Sequence, residues 1–371
     1  MKKNLIVIVL TLFSLTVYAQ KEEFAVIYTT NNGEQIRIAA DEEIFVQSHT
    51  FENGKGKIVL KESVSNIPED LLLWGNEIIT TITIPKGITK IGERAFRRFE
   101  NLTSITIPEG VKSIGSQAFG ECLGLKSITL PGSITEIEPG AFQECSNLSS
   151  INIPEGVTVI DKAIFLGCSS LKSITIPENV TLIDEYAFYN CSSLTNITIP
   201  ENVTSIANSA FGECPSLTEF NGKFSSKDHK CLIIDGVLVC FAPNNIINYS
   251  IPEDVTSIGS AVFYKCSNLA SITIPVGVTS IGRFAFAVCS NLTNITIPEN
   301  VTSIDESAFG FSENLKEIYF KSIRPIELSE DIFNEASSDL KIYVPKESVV
   351  KYKTADKWNK YADSIEPYEF K

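Results

Sequence analysis

Cysteine, histidine and carboxylate positions bound the chemistry open to this chain, and their spacing narrows it further. Seven of the nine cysteines, Cys122, Cys145, Cys168, Cys191, Cys214, Cys266 and Cys289, fall in one column of a 23-residue beat. In an exported protein such residues suggest disulfides. Neighbours in the column would stand about 5 Å apart at Cα, but their Cα–Cβ bonds would run parallel and hold the sulfurs apart. The column also divides into five and two, and five cannot pair off completely. At its edges the same slot holds Phe99 and Ser312. These cysteines therefore read as small, buried free thiols.

Cys231 and Cys240 differ. They bracket two apolar runs around Asp235-Gly236, a strong signal for a two-residue hairpin. That turn sets Cys231 opposite Cys240 in a non-hydrogen-bonded pair, where side chains approach most closely. A cross-strand disulfide and two free thiols are both open, as are an oversized coil and a recognition loop for the hairpin.

Catalysis is poorly supplied. The only two histidines, His49 and His229, lie in different regions. Glu109, Glu155, Glu178, Glu201, Glu253 and Glu299 recur after a proline, and such a column could gather calcium. Lys86, Gly132 and Val276 break it and no Asp-rich loop accompanies it, which favours a solvated acidic rim. The remaining array is a row of small polar residues: Thr83, Ser104, Thr106, Ser127, Thr129, Ser150, Asn152, Ser173, Thr175, Asn196 and Thr198, resuming with Ser271, Thr273, Asn294 and Thr296. It contains no ionisable group, so general acid–base work lacks its players. No enzyme, cofactor or metal is expected. As a binding surface the row would be a rigid lattice of hydroxyls and methyls that loses little entropy on docking. Ser and Thr also simply suit exposed strand positions. Larger anchors would be needed as well, and Phe220, Phe224 and Tyr319 lie just beyond the regular rows.

A repeat must hold these rows in place. Prolines fall at 85, 108, 131, 154, 177 and 200, then at 252, 275 and 298, and an apolar residue plus Phe keeps the same step. Nine units of 23 residues start at 82, 105, 128, 151, 174, 197, 249, 272 and 295, with degenerate units at 58–81, 220–248 and 318–341. A fixed period of this length means a solenoid, in which each coil buries its apolar side against its neighbours. Within a unit, Ser104-Ile105-Thr106-Ile107 alternates as a strand, with the isoleucines inward. Pro108 ends it. Val111–Ile114 forms a second short extended segment, and Ala118-Phe119 opens a tight helical or irregular return. The fold expected is an α/β repeat solenoid of about twelve coils, with a parallel β-sheet on its inner face and a cap at each end. At about 4.8 Å per coil it would be a rod or shallow arc about 58 Å long.

Residues 1–19 read as a signal peptide: Lys2 and Lys3, the apolar stretch Leu5–Tyr18, and Val17-Tyr18-Ala19 for cleavage before Gln20. Its removal leaves 29 basic against 45 acidic residues, a net charge of −16 in place of −14. That sign argues against nucleic acid, and no later apolar stretch is long enough for a membrane span. Residues 20–57 are expected to form an N-terminal β cap, opening with a hairpin of Phe24–Thr30 and Glu34–Ile38. The solenoid follows at 58–341, with the β-hairpin insertion at 220–248. A C-terminal cap at 342–371 would carry a helix over Glu347–Tyr361. Val349, Tyr352, Ala355 and Trp358 would cover the last coil, and Lys351, Lys353, Lys357 and Lys360 would face water.

The unit Leu102, Ile105, Ile107, Pro108, Val111, Ile114, Ala118, Phe119 and Cys122 resembles the BspA-type leucine-rich repeat of bacterial surface proteins. The likeness covers about residues 58–341, and the flanks Phe51–Gly56 and Ile342–Pro345 also resemble such proteins. The resemblance implies a leucine-rich-repeat rod and extracellular binding, through adhesion to host or matrix proteins or to other cells. The expected partner is a protein or glycoprotein, and the expected state a monomer that is periplasmic, cell-surface or secreted. The alternative is an envelope structural or spacer protein without a dedicated ligand.

Overall fold

The structure, a computed structural model, describes residues 24–38, 45–69, 71–72, 76–329 and 331–370. The expected leader and its cleavage point lie outside these residues. The chain forms two compact units divided between Leu182 and Ile183.

In the first unit, one row of strands includes Ile79–Thr83, Ser104–Thr106, Ser127–Ile128 and Ser150–Ile151. Pairing is parallel and in register, Thr81 with Ser104 and Ser127 with Ser150. A second row runs through Asn66–Ile67, Lys90–Ile91, Ser113–Ile114 and Glu136–Ile137. Ile82, Ile105, Ile91 and Ile114 are buried, while Ser104 and Thr106 are exposed, as the two-residue period of a strand requires.

Each return is a run of tight turns. Gln117 (φ 54°) and Glu121 (φ 61°) adopt left-handed backbone on either side of Ala118-Phe119. This aims the N–H groups of Gln117, Phe119 and Glu121 at the carbonyls of Pro139, Ala141 and Gln143 in the next coil, at 3.1, 2.8 and 2.8 Å. The returns thus form a third ladder. Beneath it the rings Phe96, Phe119, Phe142 and Phe165 stack with centroids 5.4, 5.3 and 5.9 Å apart. Cys122 Sγ donates to the Phe96 carbonyl and Cys145 Sγ to that of Phe119, each at 3.0 Å. All nine cysteines are buried free thiols.

The N-terminal hairpin expected from the sequence does not form. Residues 34–38 are not a strand. Ala25–Thr30 instead lies antiparallel between Lys55–Leu60 and Ile79–Thr83. The first solenoid strand presents a whole row of unpaired backbone groups, a better partner than an isolated two-stranded ribbon. Tyr28 is buried over Gly56, where an added Cβ would fall 1.8 Å from the ring. Its hydroxyl meets His49 Nε2 at 2.7 Å.

In the second unit, Asn196–Ile199 pairs with Glu219–Gly222, and Asn248–Ser250 with Ser271–Thr273. Asn294–Ile297, Glu317–Phe320, Lys341–Pro345 and Ile365–Tyr368 form a four-stranded run. The hairpin Cys231–Ile234 and Val237–Phe241 turns at Asp235-Gly236, both with positive φ. Its register departs from the one expected. Ile234 faces Val237 and Ile233 faces Leu238, but a bulge at Val239 then sets Leu232 opposite Cys240 and Cys231 opposite Phe241. The cysteines are not cross-strand partners, and no disulfide joins them. The extra residue lets Cys240 and Phe241 both be buried, where strict alternation would turn one of them outward. Cys231 Sγ sits 3.0 Å from Tyr249 Oη.

The C-terminal helix is shorter than expected. Val349–Thr354 is helical, flanked by 3₁₀ turns at Lys346–Ser348 and Asn359–Ser364, and Ala355 is extended. A spacing of three residues drifts about 60° per step on an α-helix, so one straight helix could not bury both Tyr352 and Trp358. The break lets it happen. Tyr352 Oη donates to the Ser322 and Arg324 carbonyls, and Trp358 Nε1 to that of Ile326 at 2.8 Å. Lys353 and Lys357 are half-buried and not free in water, and Lys357 Nζ donates to the Ser329 carbonyl. Among the described residues no helix is long and apolar enough to cross a membrane.

The thiol column makes a testable claim. At the column's edge Ser312 Oγ donates to the Phe286 carbonyl at 3.1 Å and accepts from Cys289 N–H at 3.2 Å, so a hydroxyl can do the thiol's work. Cys145→Ser is expected to unfold in urea close to the parent. Cys145→Val keeps the volume but removes one of the two donors to the Phe119 carbonyl, leaving Cys122 N–H at 3.2 Å, and should lose about 0.5–1.5 kcal/mol.

Candidate functional site

The parallel register gathers the outward side chains of the first strand row into lines. In the first unit Thr83 lies beside Thr106 and Ser127 beside Ser150. Thr83, Ser104, Thr106, Ser127, Thr129, Ser150, Asn152, Ser173 and Thr175 are all exposed, although 173–175 carries no strand pairing. Asn152 is already engaged: its Oδ1 accepts from Leu130 N–H and its Nδ2 donates to the Leu130 carbonyl, both at 2.8 Å. It ties two coils together and has little left for a ligand.

In the second unit Asn196, Thr198, Ser271, Thr273, Asn294 and Thr296 are likewise exposed. There the register extends the row beyond the residues read from the repeat. Glu219 and Asn221 sit beside Asn196 and Thr198. Glu317 and Tyr319 follow Asn294 and Thr296, and Lys341 and Tyr343 come next. Ionisable groups therefore do join the row at its degenerate coils.

The row ends on aromatic rings. Tyr319 stacks on Tyr343 with centroids 4.8 Å apart and planes at 14°. Tyr368 meets them at 4.9 and 5.7 Å, and Phe370 lies 4.9 Å beyond. Thr273, Thr296, Tyr319, Lys321, Tyr368 and Phe370 help to line a hollow of about 460 Å³, with Val276 62% exposed at its wall. Tyr319 Oη donates to Glu317 Oε2 at 2.8 Å. Burial, then that bond, pushes the Tyr319 phenol well above its usual range, so it stays a neutral donor.

Of the three anchors read from the sequence, Tyr319 belongs to this cluster. Phe220 does not: alternation along Glu219–Gly222 turns it fully inward against Phe211. Phe224 is half-buried with Lys223 Nζ 5.0 Å from its ring centroid. Tyr343, Tyr368 and Phe370 were not read as site residues. Tyr343 could have been found, because Ile342-Tyr343-Val344 alternates 24 residues after Ile318-Tyr319-Phe320. Tyr368 could not, since Pro367 hides the strand that carries it.

The ionisable groups of the row are held by one another, Tyr319 by Glu317 and Lys341 Nζ by Glu366 Oε1 at 3.5 Å. His49 is held by Tyr28, and burial lowers its pKa. His229 Nδ1 lies 3.0 Å from the Phe220 carbonyl and 3.2 Å from Ser225 Oγ. The recurring glutamates are exposed. Among the described residues no three His, Cys, Asp or Glu converge as metal ligands would. What the surface offers is hydroxyls, methyls and ring faces on a rigid frame, which is the chemistry of binding.

A sequence profile of the BspA type leucine rich repeat region matches residues 28–147, 66–194, 112–228 and 238–354. No curated protein matches in sequence. Among solved structures, a leucine rich cell surface protein of Faecalibacterium prausnitzii is similar at 28% identity and a TM-score of 0.66, over 93% of this chain and 95% of that one. A leucine-rich repeat protein of Eubacterium ventriosum is similar at 26% identity and a TM-score of 0.50, over 72% of this chain and 66% of the other. The pneumococcal vaccine antigen PcpA shares the fold, at 18% identity and a TM-score of 0.52 over 88% of each chain.

The buried thiols give a pH dependence. Burial pushes Cys214, Cys240 and Cys289 up to about 12 from an ordinary value of 9.0. The unfolded chain thus releases these protons first, and stability should fall as pH rises from about 9 to about 12. Denaturant midpoints across that range check the sign. Without reductant, iodoacetamide at pH 8 should label none of the nine thiols in the folded chain and all nine after unfolding. Seven labelled after unfolding would restore a disulfide.

Proposed function

Because the chain belongs to the BspA type leucine rich repeat family, we propose that it is an exported, non-enzymatic binding protein that recognises a protein or glycoprotein outside the cell. The observation that carries this reading is the hydroxyl row of the second unit running onto the half-buried rings of Tyr319 and Tyr343 and the exposed ring of Tyr368. Flat rings supply most of the contact energy in a recognition site at small entropic cost, and the row beside them is preorganised by the ladder. The Faecalibacterium relative, described as a cell surface protein, supports placement at the cell surface or beyond it. Adhesion to host or matrix macromolecules is the specific role proposed, with residues 1–19 as the export signal.

Immobilised residues 20–371 should retain a saturable partner from host matrix proteins or from the producing cell's envelope fraction. Tyr319→Ala with Tyr368→Ala should weaken that binding at least about tenfold, about 1.4 kcal/mol, with an unchanged melting curve. Alanine at Thr273 and Thr296 should weaken it less. If the folded chain retains nothing from either source, the binding reading gives way to that of a structural spacer.

A further inference from the structure

The oversized coil interrupts the return ladder and leaves a gap of defined chemistry. In regular coils alternate N–H groups of one return donate to the next, as Gln117, Phe119 and Glu121 do. The corresponding donors in the last return before the hairpin are Ser209, Phe211 and Glu213. Ser209 and Glu213 have the same left-handed backbone, with φ of 56° and 52°. Beyond the hairpin the ladder restarts, with Ala261, Phe263 and Lys265 donating to Arg283, Ala285 and Ala287. Between them, 220–248 contributes a hairpin and no return.

Two rims therefore face each other with unused backbone groups. Among the described residues, the N–H groups of Ser209 and Glu213 on one rim, and the carbonyls of Ser260, Val262 and Tyr264 on the other, have no partner in the chain. The Phe211 backbone is met by the Cys240 thiol. Lys265 Nζ reaches Glu213 Oε1 at 2.7 Å across 52 residues, where Arg98 and Glu121 in adjacent regular coils are 23 apart. The rims are two coil spacings apart, about 10 Å at about 4.8 Å per strand. One extended backbone fits between them and can pair with both. The notch holds about 380 Å³, and Phe211, Val239, Phe241, Ile246, Val262 and Leu269 make its apolar lining.

We propose that this notch is a peptide-binding site, taking an extended segment of a partner polypeptide that lies where the missing return would run and sets a large apolar side chain on the notch lining. Two donors four residues apart on one rim, and three acceptors two residues apart on the other, match the alternating carbonyls and N–H groups of an extended peptide backbone. Main-chain pairing of this kind supplies affinity while the side-chain pocket supplies selectivity. The Lys265–Glu213 pair that spans the mouth is no barrier. Lys265 is 47% exposed on a flexible stem, and Glu213, 18% exposed, is also held by Tyr189 Oη, so the lysine can swing outward and leave the carboxylate partnered. The site is separate from the aromatic hollow and does not rest on the function proposed above.

The test is selection of a phage-displayed library of random dodecapeptides against the full chain, then fluorescence anisotropy with the labelled peptide selected. The expected peptide carries a large apolar residue. It should bind at least about tenfold more weakly to Ser267→Trp and to Asn268→Trp, whose indoles cover the notch from exposed rim positions, and bind Tyr368→Ala unchanged. N-methylation of its alternate amides should weaken it equally. Two rim variants are used so that one that fails to fold, judged by circular dichroism, leaves the other. An empty selection, binding that survives the indole, or indifference to N-methylation overturns the proposal. Loss confined to Tyr368→Ala places the peptide on the aromatic hollow, overturning the notch while sparing the proposed function.

Discussion

Register between successive coils is the constraint on which the rest of the molecule depends. A single coil has only a few apolar side chains and nothing of its own to bury them against. Phe119 is fully buried because Phe96 stands 5.4 Å to one side and Phe142 5.3 Å to the other. Burying one such ring is worth about 1.5–3 kcal/mol, and that gain exists only while its neighbours keep the same register. A one-residue slip would turn the isoleucines of both strand rows outward and break the return ladder. The fixed 23-residue step is the sequence form of that requirement.

Polar side chains at the exposed corners of the stack obey the same rule. Asn101 Nδ2 donates to the Glu77 carbonyl at 2.6 Å, Asn147 to Leu123 at 2.6 Å, and Asn300 to Val276 at 2.9 Å. Each asparagine serves the coil before it, as Cys122, Cys145, Cys168, Cys214 and Cys289 do. An Asn-Leu-Thr motif such as Asn101-Leu102-Thr103 is therefore accounted for by corner chemistry, and five of the seven cysteines in line by carbonyls that take a second donor. A hydrogen bond of this kind contributes about 0.5–1.5 kcal/mol, and repeating it coil after coil favours the same residue type at each position. The groups free to act on a partner are those the ladder does not use.

Much of this was legible in the sequence because period and burial are one signal. The strand rows, the inward isoleucines, the thiol column and the turn at Asp235-Gly236 all follow from spacing and side-chain type. What stayed hidden depends on competition between distant partners. Nothing local says that Ala25–Thr30 will prefer the edge of Ile79–Thr83 to its own hairpin. The bulge at Val239 answers to whether Cys240 and Phe241 can both reach the core, which the alternation of Val237–Phe241 does not reveal. The hydroxyl row was legible as a row, but its aromatic end was not, because Tyr368 arrives on a strand entered from the C-terminal cap.

Recognition in such a fold belongs where the repeat fails. On its strand row a regular coil offers a partner only small outward groups, since a large change at one position must be tolerated by the coil on each side. Degenerate coils escape that demand on one side. Tyr319 and Tyr343 can stack because the strand spacing, about 4.8 Å, suits offset ring stacking, and because Ile365–Tyr368 is the edge strand of the run among the described residues. The oversized coil 220–248 escapes it differently. Its hairpin keeps the core filled with Phe220 and Phe241, both buried, while omitting the outer return. Stability and specificity are thus assigned to different parts of one repeat: the regular coils hold the register, and the irregular ones are free to differ in what they present.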